Sequence, residues 1–314
     1  MTKVVQIRMG GYGPPTTTFN RALRIIGDGL ERRFGDRIEV KYVWNVMDLG
    51  HRSEDLWRLV EQGSLTLAYL STSGLSGRIP ALGMADLPFL FENETAARAA
   101  IDGAFGSFLA GKIEAEMNYR VLGFFENGFR HISNCLHQVR MPSDLAGMRI
   151  RILNSRIHAR TFELLGAIPT HVGLSDLLGA LQRRDIDAQE NPLANTATYG
   201  AHKFHRFHTL TNHFYVSRCV FAHRPTFASW PEVLKDALRN AVREAIVAQR
   251  TLALEEEIVA KRQIEALGCE VIELSDEGRN AFRAAVKPIY REAHREFGGD
   301  MLHLLGQHAA RLLS

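Results

Sequence analysis

Cysteine is scarce in this 314-residue chain, and its scarcity excludes two kinds of architecture. The three cysteines, Cys135, Cys219 and Cys269, are widely separated and form no CxxC pair. An odd number of isolated cysteines cannot build a complete disulfide framework or supply a cysteine-based zinc site. Such sparse use suits either the cytoplasm or the periplasm, so it assigns no compartment.

Long apolar runs and an excess of one charge are also missing. No stretch approaches the roughly 18 consecutive apolar residues that a membrane-spanning helix requires. The 38 basic residues nearly balance the 35 acidic residues, which gives a formal net charge of +3. A nucleic-acid-binding surface needs clustered positive charge, so we expect no nucleic-acid partner.

Signatures of common enzyme sites are absent as well. The glycine-rich stretch GGYGPP lacks the spacings that bind nucleotide phosphates, and no GxSxG nucleophile turn occurs. We therefore predict no cofactor and no catalytic residue. An enzyme that anchors an acid substrate stays open, because catalytic triads assemble in space and leave no fixed spacing in sequence. Its general base would be Glu126 or Glu190, which lie closest in sequence to the candidate arginines, and the alternative is that each orients an arginine.

Histidine is concentrated in one stretch, HKFHRFHTLTNH, which contains His202, His205, His208 and His213. Two pairs in it have the i, i+3 spacing that would share a helix face and could hold a metal. The stretch contains no cysteine, aspartate or glutamate ligand, so we predict no metal site. A solvated or pH-sensitive surface is the preferred interpretation, and its role stays open.

Strand-like and helix-like segments alternate over the first two-thirds of the chain, a pattern typical of parallel sheets covered by helices. The length suits two α/β lobes. From about residue 231 to 267 a helical pattern runs without proline or glycine after Pro231, about 50 Å long at 1.5 Å per residue. A helix longer than one lobe is wide most simply lies across two. Two further amphipathic helices are predicted from residue 275 onward.

Arginine supplies the strongest functional signal. Arg151 lies inside the apolar β run MRIRIL, where a strand of a doubly wound sheet is buried on both faces. A buried guanidinium is costly unless an anion meets it. The anion is either an internal Asp or Glu or the carboxylate of a ligand, which the planar fork of arginine binds bidentately.

The chain resembles the solute-binding proteins of TRAP (tripartite ATP-independent periplasmic) transporters in four ordered stretches: ENGFRHISN, DLAGMRIRILNS, LGAIPTHVGLSDLLGALQRRDIDAQENPL and TNHFYVSR. The resemblance runs from about Ile7 to the last helix. It implies an α/β fold, a two-lobed periplasmic-binding-protein-like clamp with crossover strands and a long helix spanning both lobes. Lobe I is expected at 1–127 and 217–256, and lobe II at 128–216 and 257–314.

The resemblance also implies the residues that grip a carboxylate. The family's two-pronged arginine, in the strand after the DLxGx turn, matches Arg151. A second arginine that joins the same carboxylate matches Arg130, and the amide of the QENP motif matches Asn191. Arg149 is expected on the opposite face of the strand from Arg151, outside the ligand site.

The other positions implied by the resemblance tune specificity. Tyr12, Ser71 and Ser73 are expected to follow strands and project from their carboxyl ends. His51 and Arg52, with Ser71, stand where sialic-acid-binding relatives carry acidic residues, so a smaller or more anionic solute is expected.

Two apolar residues complete the predicted ligand site. Leu174 matches a place where the family often has an apolar wall. Phe214 is a candidate aromatic wall, although core packing is the commoner role for such residues.

The function implied is that of a periplasmic solute-binding subunit, not an enzyme. It would capture a small organic carboxylate (a hydroxy acid, sugar acid, 2-oxo acid or aromatic acid) and deliver it to the TRAP membrane permease subunits. We expect an export signal to have been removed. A ligand-sensing input protein for a sensor kinase is the alternative from another class. Which carboxylate binds, and whether it has one acid group or two, stays open.

Overall fold

The computed structural model describes residues 4–298 and 304–305. Its strands are β1 (Val5–Gly10), β2 (Ile38–Val43), β3 (Leu67–Ser71), β4 (Tyr119–Asn134), β5 (Arg149–Ile152), β6 (Ile168–His171), β7 (Ala188–Asn191), β8 (Phe207–His223) and β9 (Glu270–Glu273). Its α-helices are α1 (Thr18–Phe34), α2 (Asp55–Glu61), α3 (Glu94–Asp102), α4 (Ala104–Glu116), α5 (Arg156–Leu164), α6 (Leu177–Gln182), α7 (Leu193–Thr198), α8 (Arg224–Ala228), α9 (Glu232–Ala266) and α10 (Asp276–Phe297).

The chain divides into two compact units. The first consists of the described residues up to Ser71, Gly106–Glu126 and Ser217–Leu254. The second consists of Thr72–Phe105, Asn127–Val216 and the described residues from Glu255 onward. Strands β4 and β8 and helix α9 therefore each contain residues of both units.

One segment differs from the predicted lobes. Residues 72–105 were assigned to lobe I, but they belong to the second unit. Hydrogen bonds made after the turn at Pro88 explain the difference. The Tyr290 hydroxyl of α10 donates to the Pro88 carbonyl at 2.6 Å, and the Phe89 N–H donates to the His213 carbonyl at 2.7 Å. Such bonds join residues more than 100 positions apart, so local patterns do not indicate them.

The first unit is built on parallel strands. β1 pairs in parallel with β2 and β3, and β3 pairs antiparallel with residues 218–222 of β8. Helix α1 packs on β2, and α2 packs on β3. Helix α1 begins where the Thr17 hydroxyl accepts a hydrogen bond from the Asn20 N–H, and it ends at Gly35, whose φ of +55° suits glycine.

The second unit has β5 at the centre of a parallel trio. β5 is parallel to both β6 and β7, and β7 is antiparallel to residues 131–134 of β4. β9 pairs in parallel with residues 207–210 of β8. Helices α5 and α10 pack against each other beside this sheet. The buried hydrophobic core includes Ile132, Ile150, Phe162, Phe214 and Phe282.

Helix α9 contains 35 residues, about 52 Å at 1.5 Å per residue. Its observed bounds, Glu232–Ala266, lie within one residue of the predicted 231–267 at each end. In the part of the chain that the structure describes, no helix combines the length and the apolar character needed to cross a membrane. The first of the two predicted C-terminal helices is α10; the second lies outside the described residues apart from 304 and 305.

Candidate functional site

The strand register of the second unit decides which predicted residues share a face. Arg151 of β5 is opposite Gln189 of β7, and Asn191 of β7 is opposite His131 of β4. Paired residues point to the same side of a sheet, as do residues two apart along a strand. Arg151 and Asn191 therefore lie on one face, at the carboxyl ends of two parallel strands, where α/β folds bind their ligands.

Arg151 is buried, with 4% of its surface exposed. Its Nε donates to the Val172 carbonyl at 2.9 Å, which holds the plane of the guanidinium. Arg149, two residues earlier, donates two side-chain hydrogen bonds to Asp187, at 2.9 and 2.6 Å, and its side chain is 43% exposed. The hydrogen bonds from Arg149 lower the pKa of Asp187. The two arginines thus have different partners and exposure, but the prediction that Arg149 lies on the opposite face was wrong, because residues two apart on the regular strand β5 point to the same side.

Neighbouring polar side chains hold the Asn191 amide in place. Its Nδ2 donates to Gln189 Oε1 at 3.0 Å, and Gln189 Nε2 donates in turn to the Thr196 hydroxyl at 3.0 Å. Asn191 is almost fully buried. A short buried chain of amides fixes which atoms Asn191 can offer to a partner, so its orientation is set before any ligand arrives.

Arg130 has an internal carboxylate partner. Its guanidinium is fully buried and donates to Glu190, including a 2.9 Å bond from Nη2 to Oε1. Burial would raise the pKa of Glu190, but the charge of Arg130 outweighs it and holds that pKa well below its usual range. Arg130 Nη1 is buried without a hydrogen-bond partner among the described residues.

Arg130 and Arg151 lie on opposite faces of the sheet. Arg130 precedes the His131–Asn191 pair by one residue, so it shares a side with Ile132 and Glu190 rather than with Asn191. The register does not bring the two predicted arginines together on one face. Their joint contact with a carboxylate stays a prediction, and Arg130 could contribute only through Nη1.

The histidine-rich stretch is not a solvated surface, and that interpretation was wrong. His202, His205, His208 and His213 are all buried. The stretch enters β8, where residues 207–210, including His208, pair with β9. Burial lowers the pKa of His205 to about 3 and that of His208 to about 4. Within the described residues, no group of three or more His, Cys, Asp or Glu could hold a metal ion.

Ser73 has a different position from the one predicted. Strand β3 ends at Ser71, and Ser73 lies in the 3₁₀ helix Thr72–Leu75 of the second unit. Its hydroxyl donates to Asp86 Oδ1 at 2.6 Å, while the Ser155 hydroxyl donates to Asp86 Oδ2 at 2.6 Å. Ser73 thus helps to position a buried aspartate.

The first unit brings Tyr12 and Ser71 to one strand end. Tyr12 follows β1 and is buried, and its hydroxyl accepts a 2.8 Å hydrogen bond from Arg218 Nε. Ser71 ends β3 directly opposite Arg218 of β8. His51 and Arg52 instead precede α2, where the Arg52 backbone N–H donates to Asp55 at 2.9 Å.

The two apolar candidates occupy different environments. Leu174 is partly buried and packs against the cluster that includes Leu177 and Leu181. Phe214 is fully buried in the core of the second unit and stacks on His158, with ring centroids 3.9 Å apart. This placement favours a packing role for Phe214.

Arg218 is a buried arginine that the sequence analysis did not single out. The signal was available, because Arg218 lies in the strand-like run HFYVSRCVF as Arg151 lies in MRIRIL. Only 5% of its surface is exposed, and its Nη1 is buried without a hydrogen-bond partner among the described residues.

Comparison with known proteins gives consistent matches over nearly the whole chain. Residues 10–296 match the family described as "Bacterial extracellular solute-binding protein, family 7". The 2,3-diketo-L-gulonate-binding periplasmic protein YiaO of Escherichia coli (strain K12) is 30% identical over 89% of this chain and 84% of its own.

Solved structures agree at the level of the fold. A sugar acid binding protein from Advenella mimigardefordensis in complex with galactonate superposes with a TM-score of 0.92 at 26% identity, over 99% of this chain and 100% of that one. A TRAP periplasmic solute-binding protein from Polaromonas, bound to D-erythronate, gives 0.89 at 26% identity, over 99% and 98% of the two chains. The predicted fold class, a two-lobed α/β periplasmic-binding-protein fold, is confirmed.

Proposed function

The chain belongs to bacterial extracellular solute-binding protein family 7, the TRAP solute-binding family, and from this premise we propose that it captures a small organic acid through Arg151. One observation supports the proposal above others. A buried guanidinium on β5 shares a face with a buried amide on β7, at the carboxyl ends of parallel strands. An arginine and an amide so placed offer several N–H donors and no negative charge of their own, which suits a carboxylate.

The proposed roles of the residues follow from their surroundings. Arg151 binds the acid group with its terminal nitrogens, since Nε is already bonded to Val172. Asn191 offers its amide to the carboxylate or to an oxygen beside it. Arg130 acts mainly by neutralising the negative charge of the Glu190 carboxylate. Its Nη1, which has no hydrogen-bond partner among the described residues, is the atom that could approach the solute.

The class of solute is taken from the chemistry that relatives share. Galactonate, D-erythronate and 2,3-diketo-L-gulonate are each a carboxylate with oxygens on the adjoining carbons. An arginine for the acid group and an amide for a neighbouring oxygen fit that pattern. We propose the same class, small oxygenated organic acids, for this protein. The protein then acts in the periplasm and passes the solute, chemically unchanged, to a TRAP membrane permease.

The proposal is tested by a thermal-shift screen of purified, ligand-stripped protein against small acids, each paired with its neutral amide. A ligand at 100 times its Kd adds about 2.7 kcal/mol of stability. With an unfolding entropy of about 2.1 cal/mol/K per residue over 314 residues, the midpoint should rise by about 4 °C. Stabilisation by an acid and not by its amide is the expected result.

Two matched arginine variants then locate the contact. Loss of one partner of a buried charge pair typically costs about 2–5 kcal/mol, roughly 30- to 4,000-fold in affinity. Arg151→Met should show that loss in calorimetry, whereas Arg149→Met, which removes an arginine paired with Asp187, should bind within about threefold of the unchanged protein. Equal affinities for both variants would remove Arg151 from the site. Turnover of the acid would favour an enzyme instead.

A further inference from the structure

The short helix α7 begins directly after Asn191 with a residue that cannot cap it. Pro192 is the N-cap of α7, and its ring carries no hydrogen-bond acceptor. The first N–H groups of a helix have no partner inside the helix, so an acceptor has to come from elsewhere. Glu257 of α9, 63 and 64 positions away, supplies it. Its Oε1 accepts from the Leu193 N–H at 2.8 Å, and its Oε2 accepts from the Ala194 N–H at 2.9 Å.

Packing holds the Glu257 side chain against the start of α7. Ala260 and Ile264 follow Glu257 on the same face of α9. They form one buried hydrophobic cluster with Leu193 and Ala194, the two residues that the carboxylate caps. A negative charge is also stabilised beside the first N–H groups of a helix. Glu257 is therefore fixed in place as the cap that Pro192 cannot provide.

The capped helix is connected to the side-chain amide of Asn191. α7 begins two residues after Asn191, so fixing its first turn fixes the chain that leaves β7. The Thr196 hydroxyl, on the same helix, accepts from Gln189 Nε2, and Gln189 Oε1 accepts from Asn191 Nδ2, both at 3.0 Å. His131, which pairs with Asn191 across the sheet, has its Nε2 3.5 Å from Glu257 Oε1. The carboxylate thus holds the surroundings of the amide from more than one side.

We propose that Glu257 is a positioning residue for solute binding, which by capping α7 holds the Asn191 amide in the orientation that meets the oxygens of the acid. The inference rests on the proposed function and adds to it a residue that acts through another. Residues 131, 189–196 and 257–264 all belong to the second compact unit, so the mechanism operates inside one unit. Without the cap, the first turn of α7 loosens and the amide is no longer held in one orientation.

Isothermal titration calorimetry tests the proposal with galactonate, D-erythronate or 2,3-diketo-L-gulonate, whichever raises the melting temperature most. Glu257→Gln keeps the shape of the side chain, removes its charge and replaces one acceptor oxygen by an NH2 group. Loss of a helix cap corresponds to about 2- to 30-fold in an equilibrium constant, and the affinity should weaken within that range. The matched control is Glu255→Gln, an exposed glutamate two positions earlier on α9, which should leave the affinity unchanged.

A double-mutant cycle separates positioning from general support of the fold. Asn191→Ala removes the amide and should weaken binding by about 10- to 160-fold, the range for a hydrogen bond to a charged group. In that background Glu257→Gln should change the affinity by less than about twofold, because the group that it positions is gone. A purely structural residue would weaken binding by the same factor in both backgrounds.

Hydrogen exchange gives a readout that does not depend on the solute. The amides of residues 188–198 should exchange faster in Glu257→Gln and at the unchanged rate in Glu255→Gln, since only the first variant loses the cap. Thermal unfolding of each variant checks that the protein is folded. Unchanged exchange in Glu257→Gln would show that the carboxylate does not hold α7, and the inference would be overturned.

Two binding results overturn the inference and leave the proposed function intact. One is a Glu257→Gln variant that binds the acid as tightly as the unchanged protein, and the other is an equal loss in both backgrounds of the cycle. In either case Arg151→Met still weakens binding, which shows that the solute site is retained. If no acid binds the unchanged protein, the proposed function fails and this inference fails with it.

Discussion

Replacing Glu190 by glutamine should destabilise this protein more than any comparable change to a surface ion pair. Glu190 and Arg130 are both fully buried and face each other across β7 and β4. The buried rings of His158 and His213 also lie within 4 Å of the Glu190 carboxylate. Glutamine has the same shape, so the change removes a charge and leaves the packing intact. A buried guanidinium then loses its counter-charge.

The size of the effect can be worked out from the burial. Breaking a buried ion pair by removing one partner costs about 3–5 kcal/mol, because the other charge stays buried and uncompensated. An unfolding entropy of about 2.1 cal/mol/K per residue over 314 residues is about 0.7 kcal/mol/K. The melting temperature of Glu190→Gln should therefore fall by about 5–8 °C.

Differential scanning calorimetry with two companion variants checks the reasoning. Asp187→Asn breaks the half-exposed pair with Arg149 and should lower the midpoint by less than about 2 °C, since exposed pairs contribute at most about 1 kcal/mol. The double variant Glu190→Gln with Arg130→Met should recover most of the loss, because no charge is then left unpaired. A Glu190→Gln midpoint within 2 °C of the unchanged protein, or a double variant less stable than the single one, would refute the account.

Three further predictions concern the buried polar groups. His205 and His208 have pKa values of about 3 and about 4 in the folded protein against about 6.5 unfolded, so their stability contribution is full above pH 6.5 and is lost as pH falls towards 4. The melting temperature, plotted against pH, should fall less steeply for His208→Gln than for the unchanged protein over that range. An equal slope would contradict this. Gln249→Leu removes two buried bonds of 2.8 Å to the backbone of β4, so it should cost about 2–4 kcal/mol in denaturant unfolding; a loss below 1 kcal/mol argues against it. Tyr290→Phe frees the buried Pro88 carbonyl, so amide exchange in residues 72–105 should accelerate, and unchanged protection would contradict the bond's role.

The site was only partly predictable, and the misses share a cause. The strand containing Arg151 and Arg149 could be recognised locally, because a short apolar run is a property of the segment itself. The burial of His205 could not, since His205 packs against Ser133, 72 positions away in sequence. Residues 72–105 were misassigned for the same reason. Their partners lie on α5, β8 and α10, distant in sequence.

The sequence by itself determined the fold class and the family, because hydrophobic period and ordered motifs are local properties of the chain. The tertiary structure decided which carboxylate each arginine received. Glu190 goes to Arg130 and Asp187 to Arg149, and Arg218 receives none within the described residues. These assignments depend on the register of strands that are far apart in sequence. A shift of one residue would turn each side chain to the other face and give each charge a different partner.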